Sequence, residues 1–209
     1  MRGKFITFEG GDGVGKSTQL SRLAGFLHKN NVPLIETREP GGTPQSEDLR
    51  NLVVRGDIDR WQPISELLIM TAARAEHVHN VIEPALEAGK WVLCDRFIDS
   101  TAVYQGVAGG LGFKPVFDLH AMVNNNIMPD MTFLLDMPED VGLSRASRRG
   151  GDARFERKGE AFHKKLRKGF LELADTYPDR ICKIDAQQDF DHVWHAIEAE
   201  MIKRFDLSA

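Results

Sequence analysis

The chain has 209 residues, of which 42% are hydrophobic and 28% charged, with a net charge of −4. That is the size and mix of one globular domain with a sizeable core. The acidic balance excludes the global basic field that recruits nucleic acid, and no run nears the 18 apolar residues of a membrane span.

Short apolar runs alternate with longer helical patterns. Residues 4–9 read as a strand and 16–30 as a helix, with Leu20, Leu23, Ala24 and Leu27 on one face. A second strand is predicted over 33–39, then helices over 46–55 and 64–88, the latter bent or broken near Pro84. A third strand (91–96) leads to helical stretches around 99–106 and 114–126. A fourth strand (131–137) precedes a helix from Pro138 to about Arg149, and another helix follows over 159–176. A fifth strand (180–186) and a helix (189–205) close the chain. Strands alternating with helices imply one parallel sheet covered on both faces. In such sheets ligands bind beyond the carboxyl ends of the strands.

The cysteines, Cys94 and Cys182, both sit in apolar runs and read as buried reduced thiols. They give neither a disulfide framework nor a zinc site, and suggest a reducing compartment. The first residues lack the apolar stretch and cleavage site of a signal peptide, so a cytoplasmic location is expected. The seven histidines form no ligand constellation and read as structural or surface residues.

Gly10-Gly11-Asp12-Gly13-Val14-Gly15-Lys16-Ser17 fits G-x-x-x-x-G-K-[ST], after a strand and at the start of a helix, the context this motif requires. Its glycines let backbone N–H groups converge on phosphate oxygens, and the helix N-terminus adds partial positive charge. Lys16 is suited to the β- and γ-phosphates of a nucleotide, the Ser17 hydroxyl to Mg²⁺, and Thr18 completes the stretch. Asp95 ends a strand as a second magnesium-side acid would. Arg96 beside it, and Arg38 in "TREPGGT", are suited to a second bound phosphate, because arginine offers paired donors. Arg74 lies in a mostly apolar helix; it reads equally as a snorkelling side chain or as a donor to a base.

Residues 145–168 hold ten basic residues against three acids. Lys164 to Lys168 read as a solvated helix face. Arg148, Arg149 and Arg154 flank a Gly150-Gly151 hinge and read as a mobile basic loop that can close over a nucleotide.

The segments "FEGGDGVGKSTQ", "TREPGGT", "LLIMTAAR", "DRFIDSTAVYQG" and "PDMTFLLDM", with the basic stretch before "GFLELA", resemble the thymidylate kinase family of bacterial type, in the family's order and over nearly the whole chain. The resemblance implies a single P-loop nucleoside monophosphate kinase domain over residues 1–209. Its sheet would have five parallel strands with helices on both faces, and a small basic lid would span about 145–158. It implies γ-phosphoryl transfer from ATP to dTMP with Mg²⁺, giving dTDP for dTTP synthesis, and a homodimer. ATP would lie on Gly10 to Thr18. Asp12 would lie near the acceptor's sugar and phosphate, Arg38 and Arg96 on that phosphate, and Asp95 by the metal. Arg74 would hydrogen-bond thymine, Gln105 would face the base and Tyr104 would pack by the deoxyribose; Ser100 belongs to the same motif. Met70 stands where the family often has a phenylalanine that stacks on thymine, and Phe97 where tyrosine is common. With no arginine in the phosphate loop, Arg149 or Arg154 is expected to reach the transferring phosphoryl. The remaining alternatives are another nucleoside monophosphate or deoxynucleoside kinase, or a nucleotide switch; the guanine-reading N-K-x-D of a GTP switch is absent.

Overall fold

In the computed structural model, which describes residues 1–148 and 154–208, the strands are β1 (Phe5–Glu9), β2 (Leu34–Arg38), β3 (Trp91–Asp95), β4 (Met131–Asp136) and β5 (Ile181–Asp185). They form one sheet in the order β2-β3-β1-β4-β5, with every pairing parallel. The register aligns Phe8, Asp95 and Arg38 across three neighbouring strands. The carboxyl ends of β1, β2 and β3 therefore finish level, and the loops that follow them share one rim.

Side-chain alternation along each strand separates two cores. Ile6 and Phe8 of β1 join Leu93, Phe133 and Leu135 under the helices α1 (Lys16–Lys29) and α9 (Phe190–Phe205). Phe5 joins Val92, Cys94 and Leu134 on the other face, with residues of α3 (Pro63–His77), α4 (Glu83–Glu87), α6 (Phe113–Val123) and α8 (Glu160–Thr176). Thr7 and Thr132 share a hydrogen bond of 2.7 Å on this second face. Glu9 points to the same side and becomes important at the site. The remaining helices are α2 (Pro44–Val54), α5 (Ile98–Thr101) and α7 (Glu139–Arg148).

Two segments depart from plain helix. The helix expected over 64–88 does not break at Pro84. It widens into a π-turn over Val78–Ile82 and continues as α4. Proline has no N–H and its ring crowds the carbonyl four residues back; the wider turn ahead of it relieves both. The second π-segment, Ala102–Ala108, continues α5. There Ser100, Tyr104 and Gln105 stand at spacings of four and five, one face of a winding looser than 3.6 residues per turn. Arg180 closes a two-pronged ion pair on the buried Asp99 at 2.6 and 2.8 Å, which fixes α5 to the start of β5. Both cysteines are free, Cys94 buried and Cys182 partly so.

Phe133 is fully buried and packs on Phe8 with ring centroids 5.3 Å apart. Phe133→Ala is expected to cost about 3–5 kcal/mol. A urea titration should show a lower midpoint at an unchanged slope.

Candidate active site

The phosphate loop follows directly from β1. Its turn needs Gly10, Gly13 and Gly15 at positive φ, 131°, 77° and 100°. A Cβ on Gly13 would lie 2.0 Å from the Gly142 carbonyl oxygen, so α7 packs on the loop only because residue 13 is glycine. Lys16 Nζ donates to the Gly11 and Gly10 carbonyls at 2.6 and 3.3 Å. Burial, and then the Arg96 charge, push the Lys16 ammonium down to a pKa of about 8. Ser17 and Thr18 are exposed on the first turn of α1.

Ser17 Oγ donates to Asp95 Oδ2 at 2.7 Å. These two hard oxygens suit magnesium, which takes few protein ligands and fills its octahedron with water and phosphate oxygens. Among the described residues no group of three or more His, Cys, Asp or Glu forms a cage of its own.

Beside the loop lies a cavity of roughly 310 Å³. Its polar end is formed by Asp12, Arg38, Asp95 and Arg96, from the ends of β1, β2 and β3. Arg96 adopts a left-handed backbone, φ 69°. Its guanidinium donates to Gly10 O at 2.8 Å, to Ser100 Oγ at 3.0 Å and to Asp12 Oδ1 at 2.8 Å. It also lies 5.2 Å from the centre of the Tyr104 ring, whose hydroxyl reaches Asp12 Oδ2 at 3.4 Å. Burial alone would raise the Asp12 pKa, but the Arg96 and Lys16 charges outweigh it and hold the carboxylate below its ordinary range. Asp12 is therefore an ionised partner that orients Arg96. Arg38 is more exposed and donates to Glu47 Oε1 at 3.1 Å.

The other end of the cavity is set by α3 and the second π-segment. Met70, Arg74 and Gln105 line it, with Pro40, Val54, Phe97 and Phe155. Arg74 does not snorkel. It is buried, and its Nε donates to Glu39 Oε2 at 2.7 Å while Nη2 donates to Thr101 Oγ1 at 2.8 Å. Its Nη1 and the Gln105 Oε1 are both buried without a protein partner. Phe97 is fully buried, with edge-on ring contacts to Phe5 and His120.

Arg154 does not face the phosphate loop in this structure, contrary to the expectation for a phosphoryl-contacting arginine. It is 0% exposed. Its Nε, Nη1 and Nη2 donate to the carbonyls of Asp57, Val53 and Ile58, and Nη1 lies 2.6 Å from Glu66 Oε1. The physical reason is the end of α2 and the turn after it, which together supply three backbone acceptors beside one buried carboxylate. Arg149, and residues 150–153 of the expected lid, lie outside the described residues. Lys164, Lys165 and Lys168 are exposed, a solvated face as expected, whereas Arg167 makes a two-pronged pair with Asp136 at 2.8 and 3.1 Å.

Sequence reasoning missed Glu9, Glu39, Glu66 and Phe155. Glu39 takes Arg74 on one oxygen and His77 Nδ1, at 3.0 Å, on the other; His77 Nε2 in turn meets Thr37 Oγ1 at 2.7 Å. An acid next to a motif arginine was visible in "REPGG", but its partners on α3 were not.

The loop, the strand order and the paired charges at one rim define a P-loop nucleoside monophosphate kinase fold. A thymidylate kinase family model matches residues 8–197. Thymidylate kinase of Caulobacter vibrioides is 49% identical over 206 residues, covering 99% of each chain. That of Magnetococcus marinus is 46% identical over 209 residues, covering 100% of each. The solved thymidylate kinase of Ehrlichia chaffeensis superposes with a TM-score of 0.78 at 33% identity, covering 96% of this chain and 100% of that one. The chain belongs to the thymidylate kinase family, and it is a phosphotransferase.

A polyphosphate set against Lys16 favours the charged amine, so its pKa rises above 8 on binding. Binding should then take up protons above pH 8, be strongest below it, and weaken as pH rises through it. Calorimetric titration with ATP at pH 7 and pH 9, in buffers of different ionisation enthalpy, should show proton uptake only at pH 9.

Proposed function

We propose that the chain transfers the γ-phosphoryl of ATP to dTMP, giving dTDP and ADP for dTTP synthesis, with Mg²⁺, in the cytoplasm. The observation that carries the acceptor's identity is the pair of unpartnered groups at the cavity wall, Arg74 Nη1 and Gln105 Oε1. One donates and the other accepts. Thymine offers an accepting O4 beside a donating N3–H, which matches; cytosine offers a donating amine beside an accepting N3, which does not. Met70, Val54 and Phe155 give the base an apolar surround, and Met70 covers a ring face through its polarizable sulfur. Tyr104 stands by the sugar, where a 2′-hydroxyl would be crowded.

The acceptor is a phosphate monoester, and its second pKa of about 6 leaves it mostly dianionic at neutral pH. Its oxygen attacks the γ-phosphorus as the bond to the bridging oxygen of ADP breaks, and no general base is needed. The barrier comes from bringing two anions into line, so catalysis rests on alignment and charge neutralisation. Arg96, held by Asp12, and Arg38 take the acceptor phosphate. Lys16 takes the donor's β- and γ-oxygens, with the loop amides of Gly10 to Thr18 around them. Ser17 and Asp95 would hold the magnesium, which supplies charge neutralisation to the phosphates. Arg149 would be the arginine that reaches the phosphoryl in transfer.

The chain acts as a homodimer in this reading. Ile64 and Leu68 stand one turn apart on α3, 50% and 53% exposed, an apolar pair that a second copy of the chain would cover. Leu68→Glu is expected to shift the sedimentation of the protein from dimer to monomer.

A nucleotide panel read by ADP release tests the activity. We expect turnover of dTMP and slower turnover of dUMP, lower in kcat/KM by about 10- to 200-fold, the range one methyl allows. We expect only trace turnover of dCMP, none of thymidine, and a loss of about 10³-fold or more in Lys16→Met. Equal use of dCMP and dTMP would sink the reading.

A further inference from the structure

Gln105 can report a ring N–H only if its amide keeps the oxygen toward the cavity. An amide is nearly symmetric in shape, and nothing in the glutamine itself prefers one orientation. The preference comes from behind. Gln105 Nε2 donates at 3.1 Å to Glu66 Oε2, on α3 one turn before Met70. An ionised carboxylate only accepts, so turning the amide over would set two oxygens against each other in a buried place.

Glu66 is itself only 4% exposed, and its charge needs a fixed counter-charge. Arg154 provides it from the turn before α8, through the 2.6 Å ion pair on Oε1, and Lys158 stands 4.0 Å from the same oxygen. Arg154 is in turn held by three carbonyls, one in the last turn of α2 and two in the turn after it. A rigid line therefore runs from residues 53–58 through Arg154 and Glu66 to the Gln105 amide at the cavity wall.

We propose that Glu66 is a positioning residue for base selection. Its carboxylate, pinned by Arg154, fixes the Gln105 amide so that the cavity accepts a pyrimidine with a ring N–H and rejects one with a bare ring nitrogen. This rests on dTMP being the acceptor. Arg154 thereby acts on specificity from outside the cavity and does not touch the reacting phosphates.

Glu66→Gln is close in shape but can both donate and accept, so either orientation of Gln105 is satisfied. The test is a competition: dTMP and dCMP at equal concentration, ATP, and one enzyme sample, with the two diphosphates separated and counted. Their ratio is the ratio of the two kcat/KM values and is independent of the folded fraction, so a merely structural defect leaves it unmoved. The wild type is expected to make almost only dTDP. Glu66→Gln is expected to lower the ratio by about tenfold or more, through a higher KM for dTMP and new dCMP turnover, with kcat for dTMP little changed. A ratio within about twofold of wild type overturns the proposal. Should the single variant fail to fold because Arg154 keeps a buried lone charge, Glu66→Gln with Arg154→Met removes both charges, and the same two outcomes decide. A wild type that ignores dTMP defeats the functional reading itself, and the proposal with it.

Discussion

A buried carboxylate at the end of β1 organises everything near the site. Glu9 accepts from the Phe97 amide at 2.7 Å, the Ser100 amide at 3.3 Å and the Ser100 hydroxyl at 2.5 Å. It thereby ties the residue before the phosphate loop to the chain leaving β3. That tie supports the left-handed turn at Arg96, a conformation uncommon for a residue with a Cβ. Arg96 then reaches back to Gly10 and Asp12. Burial, and the nearby Asp99, push the Glu9 carboxyl up to a pKa of about 7. The hydrogen bonds and Arg96 oppose that rise, so the group that sets the geometry sits close to its own titration point at neutral pH.

The cavity divides its labour by depth. At the rim, charges are numerous and partly solvated, and in the proposed reading they would neutralise phosphate. At the inner wall the polar side chains are buried and each is held from behind, Arg74 by Glu39 and Thr101 and Gln105 by Glu66, leaving one atom of each without a protein partner. Dry groups discriminate better than wet ones, because a mismatched partner leaves them unpaired at a cost of about 1–3 kcal/mol. In the proposed reading, affinity and selectivity would thus come from opposite ends of one space.

Much of this was legible in the sequence. Every strand was found within a residue or so of its place, because a parallel sheet buried on both faces writes itself as apolar runs. The phosphate loop was legible because its glycines, lysine and serine answer to one local purpose. Arg38, Arg96 and Asp95 were legible as strand-end charges. The partners Arg154 has in this structure were not legible, because local composition shows how many cations a segment has, not which carboxylate, here some ninety residues earlier in the chain, will meet one of them. Glu39 and Glu66 went unseen for the same reason: an acid on an amphipathic helix or in a turn looks solvated until its partner arrives. The π-segments left no trace in the periodicity, although one of them places Tyr104 and Gln105 together.

Arg74 and Gln105 each keep one buried polar atom without a protein partner. Such atoms lower the stability of the fold by comparison with apolar substitutes of similar shape. If that end of the cavity holds the base, as proposed, thermal robustness and recognition pull against each other there. A lineage drifting toward higher stability would then find its easiest gains in the very residues proposed to tell one pyrimidine from another.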